Sequence, residues 1–231
     1  MSLSWMIYGA NGYTGELIAR QAVSQGLRPV LAGRSRDKLQ ALADELGLEL
    51  RAFSLADSAA VAAGLAGIGL VLHCAGPFSA TSAAMIEGCL AAGAHYLDIT
   101  GEVSVFEHAH AQAQATRARA AGVVLCPGVG FDVIPTDCVA AKLKELLPDA
   151  TQLSLGFQSA TGPSPGTSKT LVEGLPHGSM ARRGGKLVSE PLGQYRDIDF
   201  GRGPRPAMAI PWGDVSTAYY TTGIASIDTW I

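Results

Sequence analysis

Charge is sparse in this 231-residue chain: Asp, Glu, Lys and Arg make up 16% of it, and the formal balance is −3. With no basic stripe or cluster, nucleic acid and anionic membrane surfaces are not expected among its partners. Long hydrophobic runs are missing too. The most apolar stretch, Gly64 to Phe78, is broken by His73 and by Gly76-Pro77, so no membrane insertion is expected. The opening Met1-Ser2-Leu3-Ser4-Trp5-Met6 has neither a basic n-region nor a small-residue cleavage site. Cysteine is sparse, and Cys74, Cys89, Cys126 and Cys138 show no CxxC or other ligand spacing. No metal site is expected, and the four are read as buried, inert thiols in a reduced compartment. A cytoplasmic location is the expectation from these absences together.

Several catalytic signatures are absent as well. No tyrosine has a lysine four residues on, which removes the YxxxK acid/base pair of short-chain dehydrogenases. GxxxxGK(S/T) and HExxH do not occur either. What the chain does have is 48% apolar residues, enough to bury a core and too many for disorder.

Apolar, strand-like runs alternate with Ala-rich helical stretches over the first two thirds. The expected strands are Trp5 to Tyr8, Arg28 to Ala32, Glu49 to Leu55, Leu70 to Ala75, Tyr96 to Ile99 and Gly122 to Pro127. Helices are expected at Thr14 to Gln25, Asp37 to Leu46, Ser58 to Leu65, Thr81 to Ala92 and Val103 to Ala121. Strand and helix alternating six times predict a parallel, doubly wound α/β sheet over residues 1–148. Beyond Pro148 the pattern changes. Thr151 to Phe157 alternates with period two, a Gly/Pro/Ser/Thr loop covers Thr161 to Thr167, and a helix is expected from Ser168 to Arg182. Short strands are expected at Gln194 to Phe200, Pro206 to Pro211, Ser216 to Thr221 and Ile227 to Ile231. Residues 149–231 thus read as a second, smaller α+β module, expected to be incomplete because the chain stops inside a strand-like run. Its exposed sheet edge predicts a homodimer through this module.

The chemistry starts at Gly9-Ala10-Asn11-Gly12-Tyr13-Thr14-Gly15, immediately after the first strand and opening the first helix. Amide groups at a helix N-terminus are unsatisfied and partly positive, so a diphosphate fits there. Gly9 allows the tight turn, Gly12 the approach of phosphate, and Gly15 close packing of helix on strand. An NAD site places Asp or Glu at the tip of the second strand for the ribose 2′-hydroxyl. Here the tip reads Ala32-Gly33-Arg34-Ser35-Arg36. A guanidinium with a neighbouring hydroxyl suits a 2′-phosphate, so NADP(H) is the predicted cofactor of a Rossmann-type domain. Asp57 is placed either to reach the adenine end or to cap the helix that Ser58 begins.

Ligands lie off the carboxyl ends of strands in such sheets. Gly76-Pro77 should stiffen a turn against the nicotinamide ribose. Asp132 and Asp137 flank Val133-Ile134-Pro135-Thr136 and are the nearest acid/base candidates. Each has a structural alternative: Asp137 as the N-cap of a helix from Cys138 to Leu147, and Asp132 as a loop anchor. His73 and His95 are read as structural, and His108 and His110 as solvated.

Taken together, the glycine loop, Ala32-Gly33-Arg34, Cys74-Ala75-Gly76-Pro77-Phe78, Tyr96-Leu97-Asp98-Ile99-Thr100-Gly101-Glu102 and Pro127-Gly128-Val129-Gly130-Phe131-Asp132-Val133-Ile134-Pro135-Thr136-Asp137 resemble the saccharopine dehydrogenase-like oxidoreductases. That group includes trans-acting enoyl reductases. The similarity runs from about Met6 to Phe157. It implies an NADP-binding domain, an inserted α+β domain and hydride transfer between NADPH and a small-molecule imine or conjugated C=C substrate. It also implies a further C-terminal segment, so the chain is expected to be truncated. The alternative is a non-catalytic NADP(H)-binding protein, a redox sensor or truncated relic, which would bind NADPH without oxidising it.

Overall fold

Apolar runs spaced by helical stretches give a structure, here a computed structural model describing residues 3–158 and 178–231, that divides into two compact units. The first comprises Met1–Thr100 and Glu107–Val129. It contains β1 (Trp5–Tyr8), α1 (Tyr13–Ser24), β2 (Val30–Gly33), α2 (Arg36–Leu46), β3 (Leu50–Ala52), α3 (Ser58–Gly64) and β4 (Leu70–His73). There follow α4 (Phe78–Ala92), β5 (His95–Asp98), α5 (Val103–His110, of which residues up to Phe106 count with the second unit), α6 (Gln112–Ala121) and β6 (Leu125–Cys126).

The six strands pair in the order β3-β2-β1-β4-β5-β6, every pair parallel. This is a doubly wound sheet whose strand order reverses between β1 and β4, where the carboxyl ends open a crevice. Side-chain alternation along each strand feeds two faces. Met6, Tyr8, Val30, Val71 and Tyr96 pack with α4 residues Met85 and Ile86. Ile7 and Leu31 pack on the other face with Ala19 of α1 and Leu39 and Leu42 of α2. Parallel strands covered on both sides need the near-continuous apolar runs seen here.

The second unit comprises Gly101–Phe106 and Gly130–Ile231. Its elements are α7 (Ile134–Leu146), β7 (Gln152–Gly156), β8 (Ser179–Arg183), β9 (Lys186–Glu190), β10 (Tyr195–Asp199), β11 (Pro204–Met208), α8 (Asp214–Thr222) and β12 (Ser226–Trp230). A mixed sheet runs β7-β12-β8-β9, and β10-β11 form a separate antiparallel pair. Alternation along β7 buries Leu153 and Leu155, which share a core with Ala140 of α7, Ala218 of α8 and Ile227 of β12.

Several expectations change. The sequence puts the boundary at 148, whereas the compact units part after Val129 because α7 packs with α8 and β7. The stretch Ser216 to Thr221 reads as a strand from its Thr and Tyr content but is helical in α8, with Gly223 at φ 69° ending it. Of the helix expected at Ser168 to Arg182, residues 168–177 lie outside the described residues, and the rest is not helical: Ser179–Arg183 is β8. The loop from Thr161 to Thr167 also lies outside them. The long helix from Val103 breaks at Ala111, whose ψ of 139° is extended, giving α5 and α6. The helix expected from Cys138 starts earlier, at Ile134, with Pro135 in its first turn, so Asp137 does not cap it. Cys138 is exposed, contrary to the buried reading, whereas Cys89 is buried. His108 and His110 are half-buried where a solvated face was expected.

Candidate functional site

The glycine loop turns directly off β1. Gly9 has φ +87°, which L side chains rarely adopt, and a Cβ there would lie 2.8 Å from Ala75 N. The backbone after β1 therefore runs against the backbone after β4, at the crevice itself. A Cβ on Gly15 would come within 2.4 Å of Gly9 O, so α1 can sit this close to the loop only with glycine there. Gly12 is the N-cap of α1 and brings no side chain to satisfy the first-turn amides. Those donors are left for an anion, which is what a diphosphate supplies. Asn11 and Tyr13 are exposed beside it and Thr14 is half-buried.

At the tip of β2, Arg34 is exposed, and its guanidinium makes no hydrogen bond or ion pair among the described residues. Its charge is felt at Tyr8, whose phenol is pushed up by burial and drawn partly back by Arg34. Ser35 is the N-cap of α2, yet its hydroxyl makes no capping bond. A cation, a hydroxyl that makes no capping bond and the amides opening α2 are thus consecutive in the chain at this strand tip, a set of donors suited to a phosphate monoester. Gly33 is buried, with Asn11 Oδ1 3.1 Å from where its Cβ would stand. Asp57 is engaged as the N-cap of α3, accepting from Ala59 N at 2.9 Å and Ala60 N at 3.1 Å.

Beyond β4, Gly76-Pro77 carries a cis peptide bond, and Pro77 is the N-cap of α4. The turn is tied from below by Thr81, whose hydroxyl reaches Ala75 O at 2.8 Å and Pro77 O at 3.0 Å. His73 Nε2 lies 3.0 Å from the same hydroxyl. Burial lowers the His73 pKa to about 3, so this imidazole stays neutral and braces the turn. Cys74 is pushed up to about 12 by burial and by the charge of Asp98, which keeps it an inert thiol. Asp98, buried at the end of β5, accepts from Thr100 N at 3.0 Å, Gly128 N at 2.7 Å and Tyr96 Oη at 2.6 Å. It fixes the start of the Gly128–Val129 segment. In the sequence it stands out only as part of a longer matching run.

In the second unit, burial raises the Asp132 pKa above its ordinary value. Trp212 Nε1 donates to the Asp132 carbonyl at 2.5 Å, and Phe157 lies 4.9 Å from the Trp212 ring. Asp137 accepts from Thr221 Oγ1 at 2.7 Å. Asp214, at the start of α8, is 1% exposed and accepts from Thr136 Oγ1. Its pKa is pushed up to about 7, first by burial, against the Thr136 bond, with Asp137 and Asp132 adding to the rise. Three carboxyls therefore gather where the sequence offers two. Asp214 and Trp212 were missed, although an acid at a helix start and Gly223 just past its end bracket α8 in the way helix termini are read. Among the described residues no group of three His, Cys, Asp or Glu is arranged to hold a metal, and no helix is long and apolar enough to cross a membrane.

Residues 5–126 match the family model of the saccharopine dehydrogenase NADP binding domain. The chain is 29% identical over 221 residues to the trans-acting enoyl reductase of Mycobacterium tuberculosis H37Rv, covering 88% of this chain and 51% of that protein. It is 28% identical over 151 residues to the human saccharopine dehydrogenase-like oxidoreductase, covering 57% of this chain and 35% of that one. Among solved structures, saccharopine dehydrogenase (L-Glu forming) from Saccharomyces cerevisiae superposes with a TM-score of 0.67 at 13% identity. That match covers 99% of this chain and 55% of the yeast protein. The chain spans about half the length of the enoyl reductases it matches.

Proposed function

Because this chain belongs to the saccharopine dehydrogenase NADP-binding family, we propose that it is an NADP(H)-dependent oxidoreductase acting on a small molecule that carries an imine or a conjugated C=C bond. The observation that carries the reading is Arg34, a guanidinium without a protein partner among the described residues, standing where an NAD site keeps a carboxylate. When bound, NADPH supplies a hydride from nicotinamide C4. The residues of this chain do the rest. First-turn amides behind Gly12 seat the diphosphate, with Asn11, Tyr13 and Thr14 lining the loop. Arg34 and Ser35 hold the 2′-phosphate, next to Gly33. The Gly76-Pro77 turn, braced by Thr81 and His73, backs the nicotinamide ribose. Asp57 reaches the adenine end only through the carboxylate oxygen that its cap leaves over. Asp132 is the candidate for moving the proton that accompanies hydride transfer, since burial lets its carboxyl keep a proton more readily than an ordinary aspartate. Asp137 is the second candidate. A cytoplasmic setting and a homodimer built through the second unit complete the proposal.

Isothermal titration with NADPH and NADH tests the cofactor assignment. We expect NADPH to bind at least tenfold more tightly, and Arg34→Asp to lose about 10- to 100-fold of NADPH affinity while changing NADH far less, the size of a charge-assisted bond pair. Equal losses for both cofactors would refute it. NADPH oxidation against a panel of imines and enoyl thioesters tests catalysis. Asp132→Asn should abolish turnover with NADPH binding intact, and binding without turnover of any substrate would leave a cofactor-binding protein.

A further inference from the structure

The turn Trp212-Gly213-Asp214 holds the segment that carries Asp132 at three successive points. Trp212 Nε1 donates to Asp132 O at 2.5 Å. Gly213 packs so closely that a Cβ there would stand 2.5 Å from Phe106 Cε2 and 3.0 Å from Val133 Cγ2. Asp214 accepts from Thr136 through Oδ1, while its Oδ2 is buried and finds no hydrogen-bond partner among the described residues. We propose that Asp214 is a positioning residue for Asp132, acting through Thr136 to decide which hydrogen bonds the Val133 carbonyl keeps. This rests on the reading of Asp132 as the proton-transfer group.

Hydrogen counting gives the device two states. The Thr136 hydroxyl has one hydrogen to give and faces two acceptors, Val133 O at 3.0 Å and Asp214 Oδ1. When the Asp214 carboxyl carries a proton, it can donate to Thr136 Oγ1, and Thr136 passes its own hydrogen to Val133 O. When Asp214 is ionised, the Thr136 hydrogen must turn to the carboxylate. Among the described residues, Val133 O then keeps the Asp137 N–H bond at 2.9 Å alone. One proton at Asp214 therefore alters the backbone next to Asp132. The groups facing Asp214 set where this happens. Asp132 and Asp137 are the charges that act on it, adding negative charge from the loop and from α7. From β8, Arg182 Nε donates to Val215 O at 2.7 Å. Burial is the largest influence and moves the Asp214 carboxyl to about 7, inside the neutral range.

Trp212 offers a reporter that requires no substrate. In the full chain labelled with nitrogen-15, the indole Nε1–H resonance, assigned with Trp212→Phe, should shift with pH with a midpoint at about 7. The Trp5 resonance of β1 should not follow it. Asp214→Asn keeps the acceptor for Thr136 but cannot ionise, and should flatten the titration while leaving NADPH affinity within twofold. Thr136→Val should flatten it too with Asp214 intact. A wild-type indole that does not titrate, or one that titrates unchanged in either variant, overturns the proposal. The two readings fail separately. A titrating indole in a protein that turns over no substrate keeps the hydrogen-bond switch at Asp214 and removes the reductase reading on which its positioning role rests, whereas turnover with a silent indole removes the positioning alone.

Discussion

At the scale of single residues, the distinction is between side chains already committed to the fold and those left over. Asp57 is committed. Its carboxylate takes two first-turn amides of α3, so Asp57→Ala should cost about 1 kcal/mol, read as a lowered urea midpoint at constant slope. Arg34 is left over, and its replacement should be felt in cofactor affinity and hardly in stability. Ser35 is left over in the same sense, since a serine at an N-cap that makes no capping bond has its hydroxyl free for a ligand. Sequence reasoning picks out Arg34 and the three glycines because their chemistry is local, each tied to one turn. It leaves Asp57 undecided, since the same position serves a cap and an adenosine, and the placement of Ala59 N and Ala60 N shows the cap.

At the scale of elements, the parallel strands of the first unit are legible because burial on both faces demands unbroken apolar runs. The second unit is harder. Asp214–Thr222 carries Thr and Tyr residues that favour strands, yet Val215 and Ala218, one helical turn apart, are both buried and need a helix to share a face. Tertiary packing therefore overrides propensity in α8. The same packing explains Gly213, where even a methyl group would meet the Phe106 ring. Gly213→Ala should destabilise the protein by roughly 1–3 kcal/mol through overpacking, measured by denaturant unfolding. An unchanged midpoint would mean that Phe106 yields freely and that the turn grips the Asp132 loop only weakly.

At the scale of the whole molecule, two buried groups give stability opposite slopes with pH. His73 has its pKa lowered to about 3 from 6.5, so its contribution is present above the unfolded value and lost as pH falls toward 3. Asp214 is raised to about 7 from 3.8, so its contribution is full below the unfolded value and lost as pH rises to about 7. Each shift corresponds to a few kcal/mol at most, on the order of 1.4 kcal/mol per pH unit. Between about pH 4 and 6.5 the two slopes oppose each other if the chain unfolds as one. Thermal melts across this range should therefore be nearly flat in the wild type, rise with pH in Asp214→Asn, and fall with pH in His73→Phe. Melts of Asp214→Asn that stay flat would show that Asp214 does not hold its proton.

The amino-acid sequence by itself determined the doubly wound sheet and membership of the NADP-binding family, and it carries the proposals of a diphosphate turn at Gly9 to Gly15 and a phosphate site at Arg34. Those follow from period-two and period-3.6 burial and from residues that act within a few positions of each other. Only the tertiary structure decided where the two units part, that 214–222 is a helix, and that Asp214 joins Asp132 and Asp137. Contacts such as Thr136 with Asp214 join residues 78 positions apart, and no local rule of spacing or propensity reaches that far.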